Sequence, residues 1–180
     1  MKKYQSLKPY LLLWSTQSLS ALGSTMTGYA LILWLYRQRG SALETALLSI
    51  CSYAPYVLVS IFAGALSDRW NKKRTMLVCD LLAAMGTVAV LVLLKTGQLE
   101  PWHLYGLNAI NGLMNTVQQP ASDVAATLLV PKRYYQKTSG LRSFSSSLNT
   151  ILHPVFASAL FGFFGMEAVI AVDLATFVIA

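Results

Sequence analysis

The sequence predicts an all-α membrane protein with about six spanning helices. Of its 180 residues, 55% are hydrophobic and only 12% are charged, against about 25% charged residues in an ordinary soluble domain. The few charges also lie far apart, and the stretches between them reach the roughly 20 residues that a helix needs to cross a hydrocarbon core about 30 Å thick. Because backbone groups in lipid must be hydrogen-bonded within their own segment, these stretches are predicted to be helices.

The charges mark where each helix begins and ends. No Asp, Glu, Lys or Arg occurs in residues 9–36, 45–67, 101–122 or 143–166. Two further apolar stretches contain one acidic residue each, Asp80 in the third span and Asp173 in the sixth. We therefore expect helices over residues 10–36, 45–67, 75–95, 103–122, 140–164 and 168–180. The sixth is expected to be truncated, because its 13 residues cover only about 20 Å of a core about 30 Å thick.

Basic residues concentrate on one side of the predicted membrane. With a cytoplasmic amino terminus, the inner segments hold eleven of the fourteen Lys and Arg residues, namely Lys2, Lys3, Lys8, Arg69, Lys72, Lys73, Arg74, Lys132, Arg133, Lys137 and Arg142. Because cytoplasmic segments are enriched in Lys and Arg, the sequence predicts a multi-pass protein of the cytoplasmic (inner) membrane, with the lipid bilayer as a partner. The net charge of +7 then needs no nucleic acid to explain it.

The short loops leave little room for chemistry outside the helices. No separate soluble domain is expected, so function must be built within the bundle or at its faces. The sequence has no phosphate-binding glycine loop with its lysine, no zinc-ligand spacing and no nucleophile motif. Cys51 and Cys79 fall within predicted helices, where a small buried hydrophobic role is usual. We therefore predict a protein that is not an enzyme and has no cofactor or metal.

Polar side chains recur at helical spacing on three of the predicted helices. At about 100° per residue, each set stays within an arc of roughly 80°. The sets are Gln17, Ser20, Ser24 and Thr27 on helix one, Asn108, Asn111, Asn115 and Gln118 on helix four, and Ser139, Arg142, Ser146, Asn149 and His153 on helix five. Polar groups that face lipid without a partner are costly, so we expect these faces to look inward, toward one another or toward water.

Two interpretations of the polar faces stay open. Such side chains can join neighbouring membrane helices, at about 0.6 kcal/mol each. Thirteen of them exceed what packing needs, so we favour a solvated substrate cavity lined by the sets on helices one and four and by Ser146, Asn149 and His153 on helix five. Amides and hydroxyls without fixed charge suit a neutral or amphiphilic small molecule better than a small anion.

Three titratable groups lie within the predicted spans. Acidic residues inside a membrane are candidates for carrying a proton or pairing with a cation, which makes Asp80 and Asp173 candidate coupling residues. Asp80 follows Arg74 by little more than one helical turn, and pairing with a base would explain it without ion transport. His153 is either a titrating group, because a free imidazole changes charge near neutral pH, or a hydrogen-bonding cavity residue.

The loop between helices two and three resembles a known signature. Residues 64–74 read Gly-Ala-Leu-Ser-Asp-Arg-Trp-Asn-Lys-Lys-Arg, which is similar to the motif G-x-L-[AGS]-D-R-x-[GN]-R-[KR] of the major facilitator superfamily. The motif falls where that family places it, on the cytoplasmic side. Residues 119–121, 128–131 and 171–173 are similar, more loosely, to the macrolide-efflux-like branch of the family.

The resemblance implies the amino-terminal six-helix half of a twelve-helix carrier that alternates between inward-open and outward-open states. In the family, the loop aspartate and its neighbouring bases brace the inner gate against the other half. This gives gating roles to Gly64, Asp68, Arg69, Lys72, Lys73 and Arg74, although the last three are also explained by topology alone. The carboxyl-terminal half is an expected partner and is absent from these 180 residues.

The implied function is secondary active transport, with efflux of drug-like amphiphilic small molecules by alternating access as the leading hypothesis. Two alternatives stay open, namely a nutrient or siderophore transporter and a truncated half-carrier with no transport activity alone. Proton-coupled members of the family often carry an arginine in helix four. This chain departs from that pattern, since it has Asn108 and Asn111 there.

Overall fold

A computed structural model of the chain describes residues 7–179, apart from the side chains of residues 8, 9, 61–69, 72, 126, 127 and 132. This part of the chain is helical almost throughout and contains no strand, which confirms the predicted all-α fold. The helices are α1 (Lys8–Arg39), α2 (Ala42–Arg69), α3 (Lys72–Lys95), α4 (Pro101–Leu129), α5 (Tyr135–Phe164) and α6 (Met166–Ile179), and a 3₁₀ turn at Lys132–Tyr134 precedes α5. Lys2, Lys3 and Ala180 lie outside the described residues.

Several helices run past the expected ends of their spans. α4 continues to Leu129 and α5 begins at Tyr135. The expected bounds follow the positions of charges, whereas a helix that leaves lipid keeps its backbone hydrogen bonds in the interfacial region. Asp123 and Arg142 therefore lie within α4 and α5.

Glycine and side-chain caps separate the helices. Gly40, Gly97 and Gly165 have φ values of 64°, 68° and 82°, in the left-handed region that glycine adopts without steric cost. The N–H of Gly40 donates to the Tyr36 carbonyl at 2.8 Å and closes α1. The Ser41 hydroxyl then accepts the N–H of Glu44 at 3.3 Å, which is the usual capping bond at the start of a helix.

Within the described residues, four helices are long and apolar enough to cross a membrane: Tyr10–Arg39, Ala42–Ser60, Lys73–Lys95 and Tyr135–Phe164. The remaining two differ from these for physical reasons. α4 carries the predicted polar arc, and α6 has 14 described residues, fewer than the roughly 20 of a full span. Large apolar side chains on several helices are 72% to 83% exposed, among them Leu43, Leu58, Phe163 and Val178. Such exposure suits a surface that faces lipid.

The chain forms two compact units. The first comprises Met1–Ala30 and Val124–Ala180, and the second comprises Leu31–Asp123. Each unit contains one close approach between helices at a glycine. In the second unit, a Cβ at Gly112 of α4 would overlap the carbonyl of Ser52 on α2. In the first unit, a Cβ at Gly23 of α1 would overlap the Thr176 hydroxyl on α6. Small residues let membrane helices approach in this way.

Candidate functional site

In the first unit, α1 and α5 contact each other through a line of polar side chains, which we call the α1–α5 seam. The Tyr10 hydroxyl donates to the Thr138 carbonyl at 3.4 Å, the Ser145 hydroxyl to Ser18 at 2.8 Å, and the Thr25 hydroxyl to Oδ1 of Asn149 at 2.9 Å, while the rings of Tyr29 and His153 meet edge to face at 5.8 Å. Residue numbers increase in the same direction on both helices, so the two helices run parallel along the seam.

The seam contains some of the predicted cavity residues and several that the sequence did not single out. Asn149 and His153 belong to the predicted set on α5, whereas Thr25 and Tyr29 lie outside the predicted set on α1. Ser18, Thr25 and Tyr29 are spaced by seven and four residues, which also places them on one face of a helix. α1 therefore has two polar faces, and spacing alone does not say which of them meets α5.

The surroundings of His153 determine the role of each ring nitrogen. Nδ1 lies 2.7 Å from the carbonyl oxygen of Asn149. Because a carbonyl oxygen only accepts, Nδ1 carries a proton and donates to it. In the neutral imidazole, Nε2 is then a hydrogen-bond acceptor. His153 is half-buried, so this face offers an acceptor to a hydrogen-bond donor on a ligand.

The second polar face of α1 meets α6. The Ser24 hydroxyl donates to Oδ1 of Asp173 at 3.0 Å, and Asp173 is only 4% exposed. The Thr176 hydroxyl donates to the backbone carbonyl of Asp173 at 2.8 Å. Ser24 itself is exposed, so its hydroxyl connects an accessible surface to a buried carboxylate.

The other predicted residues of the first unit differ in exposure. Gln17 and Ser20 are half-buried, Thr27 is buried, and Ser146 of α5 is exposed. Arg142 is half-buried and Ser139 is exposed. The predicted arcs on α1 and α5 therefore place these side chains at several depths, from the surface of the unit to its interior.

In the second unit, the amide arc of α4 meets an acidic residue of α3. Nε2 of Gln118 donates to Oδ1 of Asp80 at 2.5 Å. Nδ2 of Asn108 donates to the Leu104 carbonyl of its own helix at 2.9 Å. A Cβ at Gly86 of α3 would lie 3.9 Å from Oδ1 of Asn111, which places that amide beside α3. Asn115 is exposed.

The signature loop is built from two helix ends. Gly64, Asp68 and Arg69 lie in the last turns of α2 and Lys72 begins α3, but the side chains of these four residues lie outside the described part of the chain. Asn71 caps α3, because its Oδ1 accepts the N–H of Arg74 at 3.3 Å. The side chains of Lys73 and Arg74 are exposed.

A salt bridge joins α1 to the residue that precedes α4 in the second unit. Nη2 of Arg39 lies 3.0 Å from Oε2 of Glu100, and the two side chains are 49% and 55% exposed. Nearby, the Tyr105 hydroxyl donates to the Glu44 carbonyl at 3.5 Å. Exposed ion pairs contribute little to stability, typically about 0.2–1 kcal/mol.

Metal coordination by acidic, histidine and cysteine side chains is not indicated. Among the residues that the structure describes, no three His, Cys, Asp or Glu side chains are grouped closely enough to hold a metal ion. Cys51 is half-buried and Cys79 is buried, and both are free thiols.

Comparison with known proteins places the chain beside membrane transporters. Residues 13–180 match the family model described as Major Facilitator Superfamily. The chain is 29% identical over its whole length to Macrolide efflux protein A of Streptococcus pyogenes, of which it covers 45%. It is 30% identical over 142 residues to Macrolide efflux protein A of Enterococcus faecalis, a match that includes 78% of the chain and 43% of that relative.

A shorter match extends the comparison to another transporter. Over 79 residues, 43% of the chain, the sequence is 30% identical to the Multidrug efflux pump Tap of Mycolicibacterium fortuitum, of which this match covers 17%. No solved structure matches the chain. The chain spans a little less than half the length of the two macrolide efflux proteins that it matches.

Proposed function

Because the chain belongs to the major facilitator superfamily, we propose that it forms the amino-terminal half of a secondary active transporter that exports drug-like amphiphilic small molecules by alternating access. The family match confirms the resemblance drawn from residues 64–74. Export is supported by the relatives, two of which are named macrolide efflux proteins and one a multidrug efflux pump.

The observation that carries the proposed substrate class is the uncharged polar surface of the α1–α5 seam. The Asn149 amide and Nε2 of His153 offer hydrogen bonds, and the Tyr29 ring beside them offers apolar surface. Binding sites for small molecules combine apolar walls with a few placed polar groups. An amphiphile presents both kinds of surface, and Ser146 extends the polar part of this face toward solvent.

The remaining polar arcs are proposed to contribute further substrate contacts. On α4, Asn115 is exposed and Asn108 and Asn111 are half-buried, while Gln118 is engaged with Asp80. On α1, Gln17 and Ser20 are half-buried and Ser24 is exposed. These groups add hydrogen-bonding capacity without adding a fixed charge.

We assign the signature loop a gating role in the complete transporter. A carboxylate gains about 0.3–1 kcal/mol near the amino terminus of a helix that faces it, and the proposed partner of Asp68 is such a helix in the carboxyl-terminal half. Making this contact in one state and breaking it in the other would bias the conformational equilibrium. The matched relatives are about twice as long as this chain, which supports a second half as the partner.

The proposed location is the cytoplasmic membrane, with the amino terminus in the cytoplasm. Eleven of the fourteen basic residues fall on the side that this orientation places inside, as the enrichment of Lys and Arg in cytoplasmic segments requires. Asp80 and Asp173 are the proposed coupling residues, because an acid within a membrane helix is retained for a functional reason by default.

A cell-accumulation assay tests the proposed function on the intact gene. Overexpression is expected to lower the cellular content of amphiphilic dyes and macrolides, and deletion is expected to raise it. Asp68→Asn is expected to abolish the effect of overexpression while membrane abundance stays near normal. Unchanged accumulation after both deletion and overexpression would contradict export, and accumulation that rises on overexpression would indicate uptake of a nutrient or siderophore.

A further inference from the structure

The buried hydroxyl of Thr27 on α1 differs from every other described threonine hydroxyl. Thr27 is 6% exposed, and its Oγ1 has no hydrogen-bond partner among the described residues. The ten other threonines with described side chains each donate to a backbone carbonyl three or four residues earlier, at 2.7–3.2 Å. Helical threonines commonly make this bond. The Thr27 hydroxyl is therefore turned away from the usual acceptor.

The position of Thr27 on α1 directs its side chain to the contact between α1 and α6. Gly23 and Ser24 are the α1 residues that lie against Asp173. At about 100° per residue, Thr27 lies about 40° from Gly23 and about 60° from Ser24 around the helix axis. All three residues thus share one side of α1, with Thr27 about one turn further along.

The atoms gathered at this contact are oxygens. Asp173 supplies a carboxylate that is 4% exposed, and the Ser24 Oγ lies 3.0 Å from its Oδ1. The Thr176 hydroxyl directs its proton to the Asp173 carbonyl, which leaves its lone pairs available. A Cβ at Gly23 would lie 3.1 Å from Oδ1 of Asp173, so glycine keeps space around these oxygens. Hard cations prefer such oxygen donors.

We propose that Asp173, Ser24 and Thr27 bind a sodium ion, and that this ion drives the export proposed above, on which its role as coupling ion rests. A proton on Asp173 would leave Thr27 unsatisfied, because no hydrogen bond joins Thr27 to another described residue. An ion held between the carboxylate and Thr27 gives both a partner. One carboxylate balances a single positive charge, whereas a divalent ion would leave net charge inside the membrane, which is costly.

The other titratable groups of the first unit have separate surroundings. On α5, His153 is engaged with the Asn149 carbonyl and with the Tyr29 ring, and Arg142 lies about three turns before it. On α1, the Tyr10 hydroxyl donates to Thr138. On α6, Glu167 is exposed. A pH-dependent signal from the sodium site would therefore be assigned with variants of Asp173 and His153 side by side.

Thermal unfolding of the purified full-length transporter, without substrate, tests sodium binding directly. At constant ionic strength, replacing choline chloride by about 100 mM NaCl is expected to raise the melting temperature by about 3–6 °C, because a ligand that binds only the folded state stabilises it by mass action. Ser24→Ala and Thr27→Val are expected to raise the NaCl concentration for half of this effect at least about tenfold. Asp173→Asn is expected to abolish the effect.

The matched control is Thr16→Val, which removes a half-buried hydroxyl of the same helix that bonds only the Leu13 carbonyl. It is expected to respond to sodium like the wild type. Equal melting temperatures of the wild type in sodium, potassium and choline salts would overturn the proposal. So would a stabilisation that follows falling pH but not sodium, which would assign a proton to Asp173. If Thr27→Val does not fold, Ser24→Ala and the wild-type titration still decide.

The outcome separates this inference from the proposed function. A transporter that exports dyes but is not stabilised by sodium would overturn only the sodium site. A protein that sodium stabilises through Ser24 and Thr27 but that exports nothing would retain the site and overturn the proposed function.

Discussion

Ser24 on α1 donates its hydroxyl proton to Oδ1 of Asp173 on α6 across 3.0 Å. The donor is exposed and the acceptor is 4% exposed, so this hydrogen bond joins the surface of the first unit to a carboxylate in its interior. Ionisable groups inside a membrane are expensive and are usually functional. The contact therefore makes Asp173 the acidic residue of the first unit whose removal should affect transport most.

Neutralising Asp173 is expected to impair export without removing the protein from the membrane. Asp173→Asn keeps an oxygen that accepts the Ser24 hydrogen bond but loses the charge that binds a coupling cation. We expect the initial rate of dye efflux to fall at least about tenfold, as for loss of an interaction needed in the transport cycle, with near-normal abundance on an immunoblot of membranes. Glu167→Gln removes an exposed acid of the same helix and is expected to behave like the wild type. Wild-type efflux by Asp173→Asn would contradict this assignment.

Gly112 is expected to be essential to the packing of α2 against α4. A methyl group there would overlap the Ser52 carbonyl, and added volume in a packed contact costs about 1–3 kcal/mol. Gly106→Ala is the control, because a Cβ at that position meets nothing within 4 Å and alanine favours the helix by up to about 1 kcal/mol. Thermal unfolding in detergent should show a lower melting temperature for Gly112→Ala and an equal or higher one for Gly106→Ala. Equal losses in both variants would indicate that the close approach is not limiting.

His153 is expected to contribute hydrogen bonding to substrate recognition. His153→Phe keeps a ring against Tyr29 but removes both nitrogens, and loss of one hydrogen bond of about 1 kcal/mol corresponds to about a fivefold change in rate. We therefore expect kcat/KM for an amphiphile bearing hydroxyl groups to fall about fivefold. An amphiphile of similar size without hydrogen-bond donors should be transported at an unchanged rate. Phe156→Leu alters an exposed apolar residue of α5 and serves as the control, and a similar loss for both compounds would point to a structural role.

Spacing in the sequence identified residues that share a helix face, but it did not identify the helix that each face meets. Asn149 and His153 were expected to share a face, and both contact α1. Their partners Thr25 and Tyr29 lie on a second polar face of α1, and Ser24 on the first face contacts α6 instead. Which face meets which helix depends on tertiary packing, and the turned hydroxyl of Thr27 depends on a rotamer, so neither follows from the spacing of residue types.

The apolar spans were the part of the fold that the sequence predicted most directly, because lipid requires long helices with satisfied backbones. The ends of α4 and α5 were less predictable, since Asp123 and Arg142 lie inside helices that leave the membrane. The proximity of Gln118 to Asp80 was also not evident, although each residue had been selected for its polarity within a span.

The Arg39–Glu100 salt bridge is expected to matter little for stability. Both side chains are about half exposed, and such pairs typically contribute about 0.2–1 kcal/mol. Arg39→Gln and Glu100→Gln are each expected to lower the melting temperature by no more than about 2 °C, and the double variant should add little more. A double-mutant cycle with a coupling energy above about 2 kcal/mol would show that the pair is a structural latch rather than a surface contact.

Transport into everted membrane vesicles tests the proposed export function most directly, because the cytoplasmic face of the transporter is then outside. In vesicles that contain the full-length protein, an outward-directed sodium gradient, with sodium inside the vesicle, is expected to drive accumulation of a fluorescent amphiphile. Vesicles with Asp68→Asn at equal abundance should not accumulate it. Accumulation in right-side-out vesicles and none in everted ones would contradict export.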